Sequence, residues 1–255
     1  MPMLYEGRQH KRTMRESLDC ALALQELENM GVSNIITFDA HDPRVQNAIR
    51  IGFESVSPNY QMIKALAKSV KNDIHFNPDS TMMISPDEGG MGRCVYYSQV
   101  LGIELGMFYK RRDYSKTVGG RNPILAHEFL GDNVEGKDVI VVDDMISSGD
   151  SMLDVCRQLK NLHAKRIFVF SSFGLFTSGL ERFDEAYKNG LFDKIFTTNL
   201  IYNPPALLER EWYGLVDMSK YCAFIINTLN HDESVSIFLD PIKKIHDYID
   251  RYHLK

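Results

Sequence analysis

Unbroken apolar runs, each about one strand long, recur along this chain: TMMIS at 81–85, DVIVVD at 138–143 and RIFVFS at 166–171. They lack the polar–apolar alternation of a strand with one wet face, so both faces must be covered. Amphipathic helices fall between them. Met152, Val155, Cys156, Leu159 and Leu162 mark one helical face after 138–143, and a second helix is expected around 180–188. Together these patterns predict an α/β fold with parallel sheets flanked by helices. Residues 34–39, 103–109 and 194–198 read as further strands, and 16–30 as a helix carrying Leu18, Ala21, Leu22, Leu24 and Leu27 and stopped by Gly31. A helix is also expected over 241–252, with Ile242, Ile245, Ile249 and Tyr252 on one face. Residues 53–59 read as a connector punctuated by Pro58, and 110–123 as a polar segment.

The balance of residues narrows the function classes. A net charge of -5 over 255 residues disfavours a general nucleic-acid binder, which needs a basic face. No apolar run reaches the roughly 18 residues of a membrane span, and residues 1–12 lack the apolar core of a signal peptide. A cytoplasmic chain is therefore expected. Cys20, Cys94, Cys156 and Cys222 are far apart and form no CxxC pair, so they read as free core thiols.

In such sheets ligands bind at the carboxyl ends of strands. The sharpest signal lies at one of them: Val141-Val142-Asp143-Asp144-Met145-Ile146-Ser147-Ser148-Gly149-Asp150-Ser151. A buried strand delivers two adjacent acids, then a hydroxyl-rich turn, then a helix. Backbone N–H groups at the helix start, with the Ser148 and Ser151 hydroxyls, can cradle a phosphate dianion. Asp143 and Asp144 beside a phosphate need a sugar hydroxyl or a cation between. A ribose 5-phosphate meets both demands.

This string resembles the phosphoribosyl-diphosphate loop of the type I phosphoribosyltransferase superfamily. It departs at Asp150, an acid where the family places a small or neutral residue, and that side chain has to point outward. Four further segments resemble the ribose-phosphate diphosphokinases within the superfamily. Phe38-Asp39-Ala40-His41-Asp42 looks like their strand-end Asp-x-His, which implies that His41 touches ATP or its metal. Ser85-Pro86-Asp87-Glu88-Gly89-Gly90-Met91-Gly92-Arg93 is similar to their Pro-Asp-x-Gly-Gly turn, implying that Asp87 helps hold a cation. Lys110-Arg111-Arg112 looks like the start of their catalytic loop, with Lys110 and Arg112 stabilising the transferring phosphoryl group. Tyr5-Glu6-Gly7-Arg8-Gln9-His10 resembles their Tyr-x-x-Arg-Gln-Asp, so Arg8 and Gln9 are expected at ATP, with His10 replacing the acid. Thr197-Thr198-Asn199 and Ser234-Val235-Ser236-Ile237-Phe238 continue the resemblance toward the far end.

The resemblance implies two phosphoribosyltransferase-like layers. One comprises residues 1–56 with 230–255 and is incomplete, since the resemblance begins at the Arg-Gln motif and lacks the family's first amino-terminal stretch. The other spans 57–229. The implied reaction moves a diphosphate from MgATP to the C1 hydroxyl of ribose 5-phosphate. Asp143, Asp144, Ser147, Ser148, Gly149 and Ser151 would take the sugar phosphate. Mg2+ is the implied cofactor, with His41 and Asp87 as its candidate ligands. The implied partners are ATP, ribose 5-phosphate and further copies of the chain in a homo-oligomer built from dimers. The sequence names no general base. Two alternatives remain open: a transferase consuming phosphoribosyl diphosphate, and a non-catalytic regulatory relative.

Overall fold

Residues 1–7, 17–112 and 124–255 are described by the computed structural model. Helix α1 (Asp19–Asn29) leads to two short parallel strands, β1 (Asn34–Phe38) and β2 (Gly52–Val56). The second occupies most of the expected connector. Its sequence, GFESV, is mostly half-buried, so it shows no unbroken apolar run.

Helix α2 (Asn59–Ser69), β3 (Thr81–Ser85), α3 (Met91–Leu101), β4 (Glu104–Arg112) and β5 (Ile124–Leu130) come next. Then β6 (Asp138–Ile146), α4 (Asp150–Asn161), β7 (Arg166–Gly174), α5 (Glu181–Lys188) and β8 (Lys194–Thr198) alternate. The chain closes with α6 (Pro205–Leu208), β9 (Tyr213–Val216), α7 (Ser219–Asn230), α8 (Ser236–Leu239) and α9 (Ile242–Arg251).

Seven strands form one sheet in the order β5-β4-β3-β6-β7-β8-β9. Every adjacent pair is parallel except β4 and β5. The burial of β3 follows from its composition: all five residues are inaccessible, as a strand covered on both faces requires. On α4 the buried side chains are Met152, Leu153, Val155, Cys156 and Leu159, close to the face read from spacing. Leu162 departs from it, because it is the C-cap, where the helix ends, and it stays 38% exposed. Each fully buried Leu or Phe contributes roughly 2 kcal/mol of transfer free energy.

Two sequence boundaries move. The polar segment expected to begin at Lys110 starts as strand, since β4 continues to Arg112 with Lys110 opposite His127. β6 runs on to Ile146, so Asp144, expected just past the strand, lies inside it with Asp143. Helix α9 packs against α2 and α3: Ile245 and Ile249 share one apolar cluster with Ile63, Leu66 and Tyr97, which also takes in Phe38 and Val56 of the small sheet. All four cysteines are free thiols, with Cys20, Cys94 and Cys156 buried and Cys222 half-buried.

Topology fixes where a ligand can lie. From β3 the chain moves outward through β4 and β5, then returns to β6 on the other side of β3. The carboxyl ends of β3 and β6 therefore flank the point where strand order reverses, where adjacent connections part and leave a crevice.

Candidate active site

A cleft of about 1070 Å³ opens at that point. His41, Asp87, Asp143, Asp144, Ser147, Ser148, Gly149 and Ser151, all singled out from sequence, line it. Arg8 and Gln9 lie outside the described residues. Lys110 and Arg112 end β4, where their backbones pair with His127 and Ile124 of β5.

The cleft's acids are held by contacts that cross the two sheets. Asp39 follows β1 with a positive φ of 41°, a left-handed turn that an Asp tolerates better than most residues. The turn is pinned by Asp39 N–H donating to Val56 O at 3.0 Å and Ala40 N–H donating to Ser55 Oγ at 2.9 Å. It delivers His41, whose Nδ1 is 2.8 Å from Asp144 Oδ2. Both acids flanking His41 are engaged elsewhere. Asp42 accepts from Arg44 Nε at 2.8 Å, and Asp39 accepts from Arg93 Nε at 2.6 Å and Ser172 Oγ at 2.5 Å. Arg93 reaches on toward Asp144, its Nη2 4.0 Å from Oδ1.

Electrostatics follow from this wiring. Burial, with the charges of Asp144 and Asp87 beside it, pushes the Asp143 carboxyl well above the usual range. Burial acts upward on Asp144 as well, but the His41 hydrogen bond and the Arg93 guanidinium outweigh it and hold this acid below its ordinary value. Burial likewise disfavours charge on Arg93, yet Asp39 and Asp144 keep it more firmly protonated than usual. The pair Asp143–Asp144 thus holds one proton more readily than two separate acids would, with Asp144 as the ionised member.

The hydroxyl-rich turn is shaped from behind. Gly149 takes φ +85°, and a Cβ there would lie 2.1 Å from Phe183 Cζ, so no larger residue fits. Beside it, Leu175 N–H donates to Ile146 O at 2.9 Å and Thr177 N–H to Ser147 O at 3.0 Å. Ser148 Oγ donates to Asp150 Oδ2 at 2.8 Å. Asp150 itself points outward, 64% exposed, and meets Arg182 Nη1 at 2.7 Å.

Several contributors were not given a role from sequence. Arg93 only closes a Gly-rich string in the sequence, although Asp39 and Asp144 call for a counter-charge there. Thr177 and Arg182 lie after β7 and carry no local motif. Tyr109 of β4 lines the cleft.

The residues suit a hard divalent cation in one limited sense. Asp87 Oδ1 accepts from Gly89 N–H at 3.0 Å and Gly90 N–H at 3.2 Å, which fixes the carboxylate at the cleft wall. Among the described residues no three His, Cys, Asp or Glu side chains come together as a complete metal site. One or two carboxylates, with substrate phosphates completing the shell, is the usual provision for Mg2+. No described helix is long and apolar enough to cross a membrane.

Comparisons with known proteins agree with this geometry. Residues 55–206 match the family model of the phosphoribosyl transferase domain. A ribose-phosphate pyrophosphokinase of Ureaplasma parvum serovar 3 is 28% identical over 202 residues, covering 79% of this chain and 58% of the relative. Another, from Mycoplasma pneumoniae, is 28% identical over 240 residues, covering 92% of this chain and 68% of the relative. The chain thus spans about three fifths to two thirds of the length of these relatives. The crystal structure of phosphoribosylpyrophosphate synthetase from Mycobacterium smegmatis superposes with a TM-score of 0.75 at 18% identity, over 91% of this chain and 70% of that one. At that identity the likeness establishes a shared fold.

Proposed function

We propose that this chain, which belongs to the phosphoribosyl transferase domain family, transfers a diphosphate from ATP to the C1 hydroxyl of ribose 5-phosphate and releases AMP. One observation carries the proposal: the 2.8 Å contact between His41 and Asp144. Asp144 lies inside the matched domain; His41 lies outside it, at the end of β1. A transferase that only consumes phosphoribosyl diphosphate needs the turn and its acids. It has no need of a second unit that delivers a histidine to them. The curated pyrophosphokinases match across both units, which supports the same reading.

In this reading Asp143 and Asp144 hold the ribose hydroxyls. Ser147, Ser148, Gly149 and Ser151 surround the 5-phosphate, with the first N–H groups of α4 aimed at it. Arg8, Gln9 and His41 take ATP. The C1 hydroxyl oxygen bonds to the β-phosphorus as the bond from that phosphorus to the AMP oxygen breaks, and the hydroxyl proton leaves to solvent. Lys110 and Arg112 stabilise charge on the transferring group and on AMP. Mg2+, when bound, neutralises the triphosphate; His41 and Asp87 would hold it together with substrate phosphates. Residues 1–56 with 230–255 serve as the ATP side and 57–229 as the ribose-phosphate side. The chain works as a homo-oligomer built from dimers. The apolar residues Phe224, Ile226 and Leu229, each more than 40% exposed on α7, support such an association.

The test is AMP release from MgATP with and without ribose 5-phosphate. AMP formed only when ribose 5-phosphate is present is the expected result. AMP absent under both conditions, with ribose 5-phosphate still bound by calorimetry, would move the assignment to a non-catalytic relative.

A further inference from the structure

An acid in an anion-binding turn is a physical contradiction unless something cancels it. Asp150 opens α4, where a negative side chain helps the helix by facing its positive end. The same position sets it against an incoming dianion. It also takes the Ser148 hydroxyl, whose proton goes to Asp150 Oδ2 at 2.8 Å.

Three contacts from one helix meet this turn. Arg182 Nη1 lies 2.7 Å from Asp150 Oδ1. The same nitrogen donates to Ser148 O at 3.4 Å, so the guanidinium spans the turn from backbone to acid. The next residue, Phe183, fills the space directly behind Gly149, which fixes the first turn of α5 against the loop. Phe183 is itself held by Trp212, stacked at 5.7 Å, and by Phe176, edge-on at 5.0 Å. Arg182 is thus carried to Asp150 by a buried aromatic anchor rather than by chance meeting of two surface chains. This matters because a free surface pair contributes little.

We propose that Arg182 is a positioning residue that neutralises Asp150, so that a turn containing an acid can accept a phosphate dianion. The inference rests on the ribose 5-phosphate reading of the cleft. It assigns Arg182 no contact with the reacting atoms.

The experiment titrates wild type, Arg182→Ala, Arg182→Lys and the double variant Arg182→Ala with Asp150→Asn, using ribose 5-phosphate and inorganic phosphate as separate probes. Thermal unfolding of each checks folding. Arg182→Ala should weaken both ligands about tenfold, as expected for one unpaired charge near a dianion. The loss should shrink as salt rises. The lysine variant should keep most of the affinity. The double variant should recover to within about threefold of wild type, because removing the acid removes the need for its partner. A double variant as weak as Arg182→Ala would overturn the proposal and place Arg182 on the phosphate itself or in the fold. Wild-type affinity in Arg182→Ala would also overturn it. If wild type bound phosphate but not ribose 5-phosphate, the sugar reading would fail while the phosphate titrations still decided the role of Arg182. If wild type bound neither, both would fall.

Discussion

His41 Nδ1 sits 2.8 Å from Asp144 Oδ2 across 103 positions of chain. Asp144 is 1% exposed and held in its ionised form, and an ionised carboxylate can only accept. The Nδ1 atom therefore carries the proton, and in the neutral ring Nε2 carries the lone pair. A carboxylate behind one imidazole nitrogen is the usual support for a histidine that ligates metal through the other. Asp144→Asn should consequently disturb two things together. Ribose 5-phosphate should bind about tenfold or more weakly, the scale of one hydrogen bond to a charged group. The Mg2+ concentration for half-maximal rate should rise by about 10–100-fold. Calorimetry and a Mg2+ titration of the rate check these separately; an unchanged ribose 5-phosphate isotherm refutes the sugar contact.

Lys110 lies near the end of β4, where its backbone pairs with His127 of β5. On the proposed reading its cation acts only once the transferring group develops charge, in the transition state. Lys110→Ala is therefore expected to lower turnover by about 100-fold or more, while ribose 5-phosphate affinity changes little. Turnover measured beside a ribose 5-phosphate titration separates the two. Equal turnover in the variant would remove this segment from catalysis.

What could be read from sequence divides along one physical line. Residues 81–85 and 138–143 announce themselves as buried strands because both faces need apolar side chains. Asp143, Asp144 and Ser148 are legible because a strand end, an acid pair and a helix start follow one another in the chain. By contrast β2 is half-buried and mixed in composition, and β5 (ILAHEFL) is an antiparallel edge with His127 and Glu128 breaking the apolar run. Neither leaves a periodic mark. The links Arg93–Asp39 and Arg182–Asp150 join residues 54 and 32 positions apart, so nothing local in the sequence announces either pairing. Cleft-lining residues that share one stretch of chain are legible in the sequence; pairings that depend on how distant elements meet are not.

Asp184 ties the aromatic anchor to pH. It accepts from Trp212 Nε1 at 2.7 Å and from Arg210 Nε at 3.0 Å. Its partial burial works upward, but those hydrogen bonds win and hold its carboxyl below the usual value. A depressed folded-state value means stability that is present above the unfolded pKa, about 3.9, and is lost as pH falls through the folded value. Asp184→Asn should cost about 1 kcal/mol at pH 7, a drop of roughly 2–4 °C in Tm. The difference should fade below about pH 4, where wild type loses the same charge. Thermal unfolding across pH 2.5–7 in both proteins checks it, and a gap that persists undiminished at the acid end would contradict the assignment.

Gly149 is where fold and site meet most tightly. Two independent costs attach to a methyl group there. The first is conformational: φ is +85°, a region that alanine occupies only with strain of about 1–3 kcal/mol. The second is steric, since the new Cβ would lie 2.1 Å from Phe183 Cζ, and Phe183 is caught between Trp212 and Phe176. The ring cannot yield without moving its neighbours, which adds roughly 1–3 kcal/mol. Gly149→Ala should therefore lower Tm by about 10 °C and reduce ribose 5-phosphate affinity by more than tenfold, because the turn must rearrange to relieve the clash. Adding Phe183→Leu makes room for the methyl group and leaves the backbone strain. The double variant should regain part of the lost stability yet bind ribose 5-phosphate no better than the single one. Calorimetry showing wild-type affinity in Gly149→Ala would take this turn out of the phosphate site altogether.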